Sequence, residues 1–171
     1  MQHVRKSRKV LDRGSGSALF LTRAWKIEGA YMQDNDQPDI LANLMPRPGI
    51  SHWQWRRMMA EFIAAQLEPA PFGVAALYLL GSTKNATAGP ASDIDLMVHF
   101  RGSDRQRMDL IAWFDSWSRR LSDINYRHTG HKTEGLLDVH IITDADIEHQ
   151  TSYAAKIGAI DDRALSLKMK T

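Results

Sequence analysis

Asp93 and Asp95 stand two residues apart in the run Asp93-Ile94-Asp95-Leu96-Met97-Val98. Asp is disfavoured in an apolar, half-buried strand, so a pair of them there points to a task. Side chains alternate along a strand, which puts both carboxylates on one face while Ile94, Leu96 and Val98 fill the other. A second stretch repeats the pattern, with Leu137, Val139 and Ile141 facing one way and Asp138 and His140 the other. Like charges held close raise each other's pKa unless a cation neutralises them. Hard carboxylate oxygens suit Mg2+ or Mn2+. If the two strands are neighbours, Asp93, Asp95 and Asp138 converge as an in-line, two-metal displacement requires. The competing reading is three exposed strand-end acids in caps and surface ion pairs.

An apolar strand ending at Leu80 runs directly into Gly81-Ser82. Glycine lets a backbone approach a phosphate closely because no Cβ intervenes. A helix opening at this turn would aim N–H groups at an anion, and Ser82 adds a hydroxyl. Lys84 follows, and contact with a phosphate and ordinary solvation of its charge weigh about equally. The loop Arg127-His128-Thr129-Gly130-His131-Lys132 leads into the third strand and offers donors to a triphosphate or an acidic acceptor. His128 and His131 lack the further ligands a zinc site needs. His140 shares a face with Asp138, as a tuning group or as a structural histidine.

These residues need elements to hold them. Trp55, Met58, Met59, Phe62 and Ile63 recur at helical spacing from Trp53 until Pro69 ends the helix. Val74–Leu80, Ile94–Phe100 and Leu136–Ile142 are the expected strands. Between the last two, Leu110, Trp113, Phe114, Trp117 and Leu121 line one face of a helix over Ser103–Leu121, opened by a Ser103/Gln106 capping box. The Trp113 and Trp117 stripe reads as core. Asp146–Ile160 has a weaker helical pattern, and Lys168–Thr171 reads as a tail. Residues 1–50 carry Gly14-Ser15-Gly16-Ser17, Asp34-Asn35-Asp36-Gln37-Pro38 and Pro46-Arg47-Pro48-Gly49 between short apolar pieces. They read as a loosely structured N-terminal arm on a domain spanning 51–171.

Composition bounds the rest. The chain has 171 residues, 43% hydrophobic and 25% charged, enough for one domain with a sizeable core. Twenty-two Lys+Arg against 20 Asp+Glu leave a formal charge of +2, which argues against a protein that coats nucleic acid. The basic cluster at 5–13 lacks interleaved aromatics and reads as solvated. With no cysteine, disulfides, thiolate metal sites and thiol catalysis are excluded. The longest apolar run, Val74–Leu80, falls far short of a bilayer span, and no signal-peptide core follows the basic N-terminus. A cytoplasmic protein without membrane association is expected.

Leu79-Leu80-Gly81-Ser82, then Asp93-Ile94-Asp95-Leu96, then Leu137-Asp138-Val139 resembles the signature of the DNA-polymerase-beta-like nucleotidyltransferase superfamily. The likeness covers roughly residues 53–143, and within the superfamily the stretch Gly81–Pro90 looks like a small stand-alone or accessory bacterial type. A looser similarity is to nucleotidyltransferase domains attached to phosphoenolpyruvate-synthase-like chains. The resemblance implies an α+β fold, a mixed sheet flanked by helices. It also implies a nucleoside triphosphate donor such as ATP, and release of pyrophosphate. Gly81 and Ser82, with Lys84 near them, would hold donor phosphates. Asp93, Asp95 and Asp138 would hold Mg2+ or Mn2+, and Asp138 would also take the proton of the attacking hydroxyl. No second domain for base or acceptor recognition is evident after Asp138, so a partner chain could complete the site. The acceptor, whether small molecule, RNA or protein, is left open. The rival expectation is a non-catalytic nucleotide-binding or regulatory module of the same fold.

Overall fold

A computed structural model describes residues 44–170, which belong to one packed unit, Asp39–Thr171. The expected arm therefore falls mostly outside the described residues. Leu44 is fully buried, and its carbonyl accepts a 2.8 Å hydrogen bond from the Trp55 indole Nε1, so packing onto the domain extends upstream of residue 51 at least to this point.

The first helix, α1, spans His52–Gln66. Ser51 and Gln54 close a capping box that satisfies donors left free in the first turn. Trp55, Met59, Ala60, Ile63 and Ala64 form its buried stripe. The expected stop at Pro69 comes slightly early, and Pro69 instead opens a one-turn helix, α2 (Pro69–Phe72), where its missing N–H is no loss. Gly73 ends that turn at φ 64 and leads into β1 (Val74–Leu79). A four-residue helix, α3 (Gly81–Lys84), follows β1, then comes β2 (Ile94–Phe100). Helix α4 (Asp104–Thr129) starts at the expected Ser103/Gln106 box but runs past Leu121 to a left-handed Gly130 cap. Its later turns still bury Ser122, Ile124 and Asn125, and these mixed residues gave a periodicity count little to register. β3 spans Leu137–Ile142.

The single continuous helix expected over Asp146–Ile160 does not form. Thr143 caps a short α5 (Asp144–Glu148) through a box with Asp146, Gln150 turns to φ 50, and the chain resumes as a 3-10 turn over Ala154–Ile157. The C-terminal residues are not a loose tail either. Leu165–Leu167 form β4 on β1, Met169 packs against the core, and the Lys170 N–H donates to the Leu67 carbonyl at 3.2 Å. Three residues are too few for alternation to reveal.

The sheet order is β3-β2-β1-β4, with β2 parallel to β3 and the other pairs antiparallel. A parallel pair needs a long crossover, and α4 supplies it. One face of the sheet carries Leu77, Leu79, Ile94, Leu96 and Val98 into the main core with α1 and α4. Trp113 and Trp117 lie against that core as expected. Each fully buried aliphatic side chain there is worth about 1.5–3 kcal/mol relative to exposure. The opposite face carries a smaller cluster of Leu80, Met97, Ile142, Ala154 and Ala164. Because alternation places Asp95 and Asp138 on this second face, the large core backs the acids without enclosing them. Among the described residues no helix is long and apolar enough to cross a membrane.

Gly73 sits where the chain enters the sheet, and a Cβ on it would lie 2.5 Å from the Gly102 Cα. Gly73→Ala therefore combines left-handed strain with a backbone clash and is expected to destabilise the fold by about 2–4 kcal/mol. Urea denaturation checks this, as a lower midpoint at unchanged slope.

Candidate active site

The ladder between β2 and β3 decides the site. Asp95 pairs directly with Asp138, and His140 with Met97, so Asp138 and His140 extend from the same side of the sheet as Asp95. One ligand atom from each of Asp95, Asp138 and His140 lies within 4.8 Å of the others, and among the described residues no other such group occurs. Asp93 falls outside that group. It precedes the first laddered residue of β2, and its side chain is exposed. It still bears on the group electrically, because its charge and that of Asp138 both act on Asp95.

His140 is placed more specifically than alternation alone could show. Its Nε2 lies 3.2 Å from Asp138 Oδ2, and its ring stacks on Tyr153 with centroids 3.8 Å apart and planes 21° from parallel. Tyr153 comes from the segment read as continuous helix, so its role was hidden from sequence. The break in that segment is what presents the ring.

Gly81 adopts φ 62 at the start of α3, and a Cβ there would collide with the Asp95 carboxylate. Glycine is thus required both for the turn and for the approach of backbone to acid. The turn is bound to the acidic strand by two hydrogen bonds. The Leu80 N–H donates to the Asp95 carbonyl at 2.9 Å, and the buried Thr83 hydroxyl donates to the Asp93 carbonyl at 3.4 Å. Thr83 was not singled out in the sequence, where it is one hydroxyl among several. Ser82 lies in the same first turn. Lys84 carries basic charge in the last turn, and its ammonium is engaged by Asp162 at 2.7 Å, which also binds Lys156 and Asn85.

β3 is anchored from behind. The Ser118 hydroxyl of α4 accepts the Leu137 N–H at 3.0 Å, the Ser118 carbonyl accepts the Leu136 N–H at 3.2 Å, and the Ile94 N–H donates to the Leu136 carbonyl at 2.8 Å. These bonds set where Asp138 emerges beside Asp95. Helix α4 runs on through Thr129, so Arg127, His128 and Thr129, expected in the loop before β3, sit in its last turn; His128 and His131 are exposed, and neither joins a three-ligand group.

Burial is the main cause lifting the Asp95 carboxyl above its ordinary range, followed by the charges of Asp138 and Asp93, with His140 opposing. Asp93, though largely exposed, is raised by partial desolvation and by Asp138, against the pull of Arg56. The facing carboxylates of Asp95 and Asp138, with an imidazole at one side, form a donor set that fits a divalent cation such as Mg2+ or Mn2+.

Sequence comparison agrees with this geometry. Residues 60–162 match the family described as nucleotidyltransferase domain, which is well over half of the chain. The chain belongs to this family, and its sheet with flanking helices is a nucleotidyltransferase fold consistent with the polymerase-beta-like superfamily. Among curated proteins and among solved structures, no match to the chain is found.

The electrostatics predict a pH dependence. A carboxyl whose pKa is raised in the fold contributes stability that is fully present below its unfolded value, about 3.9, and is lost as pH rises through the folded value. At neutral pH Asp95 therefore weakens the metal-free fold relative to a side chain that carries no titratable proton. Asp95→Asn is expected to raise the thermal midpoint at neutral pH in chelator, with the gain vanishing below about pH 4. Melting curves across that range check it, and a lower midpoint for the variant at neutral pH contradicts it.

Proposed function

We propose that this protein is a metal-dependent nucleotidyltransferase that moves an NMP group from an NTP to a hydroxyl or phosphate acceptor. The observation that carries this reading is the direct pairing of Asp95 with Asp138 across parallel strands, beside a glycine turn that only a Cβ-free residue can bring against the Asp95 carboxylate.

In this reading Asp93, Asp95 and Asp138 hold the divalent ions, with His140 beside them. When bound, such ions polarise the α-phosphate and offset the charge that develops on the departing pyrophosphate. Gly81 and Ser82 hold the donor phosphates, through backbone N–H groups of the first turn of α3 and through the serine hydroxyl. Lys84 adds positive charge to the same turn, where its ammonium is held by Asp162 and keeps further N–H donors. The acceptor oxygen attacks the α-phosphorus, and its new bond replaces the one to the oxygen bridging α and β, so pyrophosphate leaves. The acceptor proton passes to an Asp138 carboxylate oxygen, a step worth about 10²–10⁴-fold in rate for a positioned base. Asp138 is exposed, so its free edge is open to an incoming acceptor. A partner chain that supplies the acceptor surface fits this openness. A cytoplasmic location suits a supply of NTP.

Incubation of the protein with α-labelled ATP, GTP, CTP or UTP, with Mg2+ or Mn2+ and a cell extract, tests the proposal. Label should appear on a small molecule, RNA or protein. Asp93→Asn and Asp138→Asn should each lower transfer by at least about 10²-fold while leaving the circular dichroism spectrum unchanged. Full turnover by both variants on the true acceptor would falsify the mechanism. Nucleotide binding without any transfer would identify a nucleotide-binding module instead.

A further inference from the structure

Arg56 lies in the middle of α1 with no exposed surface. A guanidinium is seldom buried without an acidic partner. Yet among the described residues no carboxylate forms an ion pair with it, and its donors go almost entirely to backbone. Nε donates to the Ser92 carbonyl at 2.8 Å, and Nη2 donates to the Pro90 carbonyl at 2.9 Å and to Asn125 Oδ1 at 3.0 Å. Nη1 makes a longer bond of 3.4 Å to the His52 carbonyl, one turn back on α1. Asn125, itself fully buried on α4, turns its own Nδ2 onto the same Pro90 carbonyl at 3.1 Å. Two helices thus grip one short piece of chain, and that piece ends at Asp93.

The gripped segment needs such a hold. Between α3 and β2 the backbone forms no regular element. Its ties to itself and to α3 are the Gly89 N–H to Ser92 Oγ at 2.9 Å, the Ser92 N–H to the Gly89 carbonyl at 3.2 Å, the bonds of residues 86–88 back to α3, and the 3.4 Å bond from the Thr83 hydroxyl to the Asp93 carbonyl. Asp93 has no ladder partner, unlike Asp95, whose position follows from β2. A planar guanidinium with donors on two sides can hold the Pro90 and Ser92 carbonyls together, whereas a lysine ammonium in the same place acts as a point charge.

We propose that Arg56, completed by Asn125, is a positioning residue that clamps the Pro90–Ser92 backbone and thereby delivers the Asp93 carboxylate beside Asp95 and Asp138. The consequence for metal binding rests on the nucleotidyltransferase reading. The clamp itself is a statement about the loop.

Two measurements separate these. Amide hydrogen exchange of Gly89, Ala91, Ser92 and Asp93 in metal-free protein reads the clamp. Loss of charge-assisted hydrogen bonds in Arg56→Lys should speed exchange there by about tenfold or more, with protection of the Leu110–Leu121 stretch of α4 unchanged. Asn125→Ala, which keeps the Arg56 charge, should do the same to a smaller extent. Mn2+ affinity, read by electron paramagnetic resonance of the free ion, tests the consequence. Arg56→Lys should weaken it about 10–100-fold, as loss of groups that orient ligands does, and should have no further effect in an Asp93→Asn background. Unchanged exchange of Gly89, Ala91, Ser92 and Asp93 in both variants overturns the clamp. Equal losses of Mn2+ affinity with and without the Asp93 carboxylate overturn the claim that Arg56 acts through Asp93. Wild-type protein that holds no Mn2+ would instead count against the nucleotidyltransferase reading, and the exchange result would still decide the clamp.

Discussion

Carboxylates brought together on one sheet face repel one another, most of all at Asp95, the one of the three that is partly buried. Asp95 and Asp138 occupy paired positions in a parallel ladder, with Asp93 close enough to add its charge. Nothing in that arrangement favours itself in the absence of a cation. It persists because the opposite faces of the same strands carry Ile94, Leu96 and Val98, with Val139 and Ile141, into a core that α1 and α4 close. The apolar side of the sheet sets the register, and the acidic side has to accept the register it is given. A group held against its own electrostatic preference is a common mark of a functional site.

The surrounding contacts make sense as devices that keep this unfavourable geometry from relaxing. Ser118 holds the entrance of β3 to α4, and the Leu80 and Thr83 bonds hold the glycine turn to β2. Gly81 admits the turn because any side chain would collide with Asp95. Tyr153 stacks on His140 and limits its ring to a position beside Asp138. Asp162, far along the chain, draws Lys84, Asn85 and Lys156 together and ties the loop before β4 to the end of α3. Most of these partners are hydroxyls, carbonyls and glycines, which position by shape and hydrogen bonding without adding charge to the acidic cluster.

Much of this was legible before any coordinates. Alternation in Asp95–Val98 and Leu137–Ile142 assigns Asp95, Asp138 and His140 to one face, since in a strand the period of two leaves no other choice, whereas Asp93 precedes the strand and escapes that rule. The capping boxes at Ser103 and, in the structure, at Ser51 and Thr143 mark helix starts, because orphaned backbone donors must find acceptors within a few residues. Where local signals were weak, the reading failed in ways that share a cause. The three residues of β4 and the segment after α5 are held by partners on other elements, such as Leu77 for Leu167 and His140 for Tyr153.

The sequence by itself determined which residue types stand where: an apolar strand into Gly-Ser, an Asp pair at strand spacing, and a third acid in an alternating apolar run. These are local properties of the chain, fixed by the geometry of the peptide backbone. Only the tertiary structure decided that Asp95 pairs with Asp138, that His140 stands closer to them than Asp93 does, and that a buried arginine holds the loop leading to Asp93. Strand order and register come from packing the whole apolar face against two helices, and a buried guanidinium finds its carbonyl partners only once those helices are in place. No window of neighbouring residues contains that information.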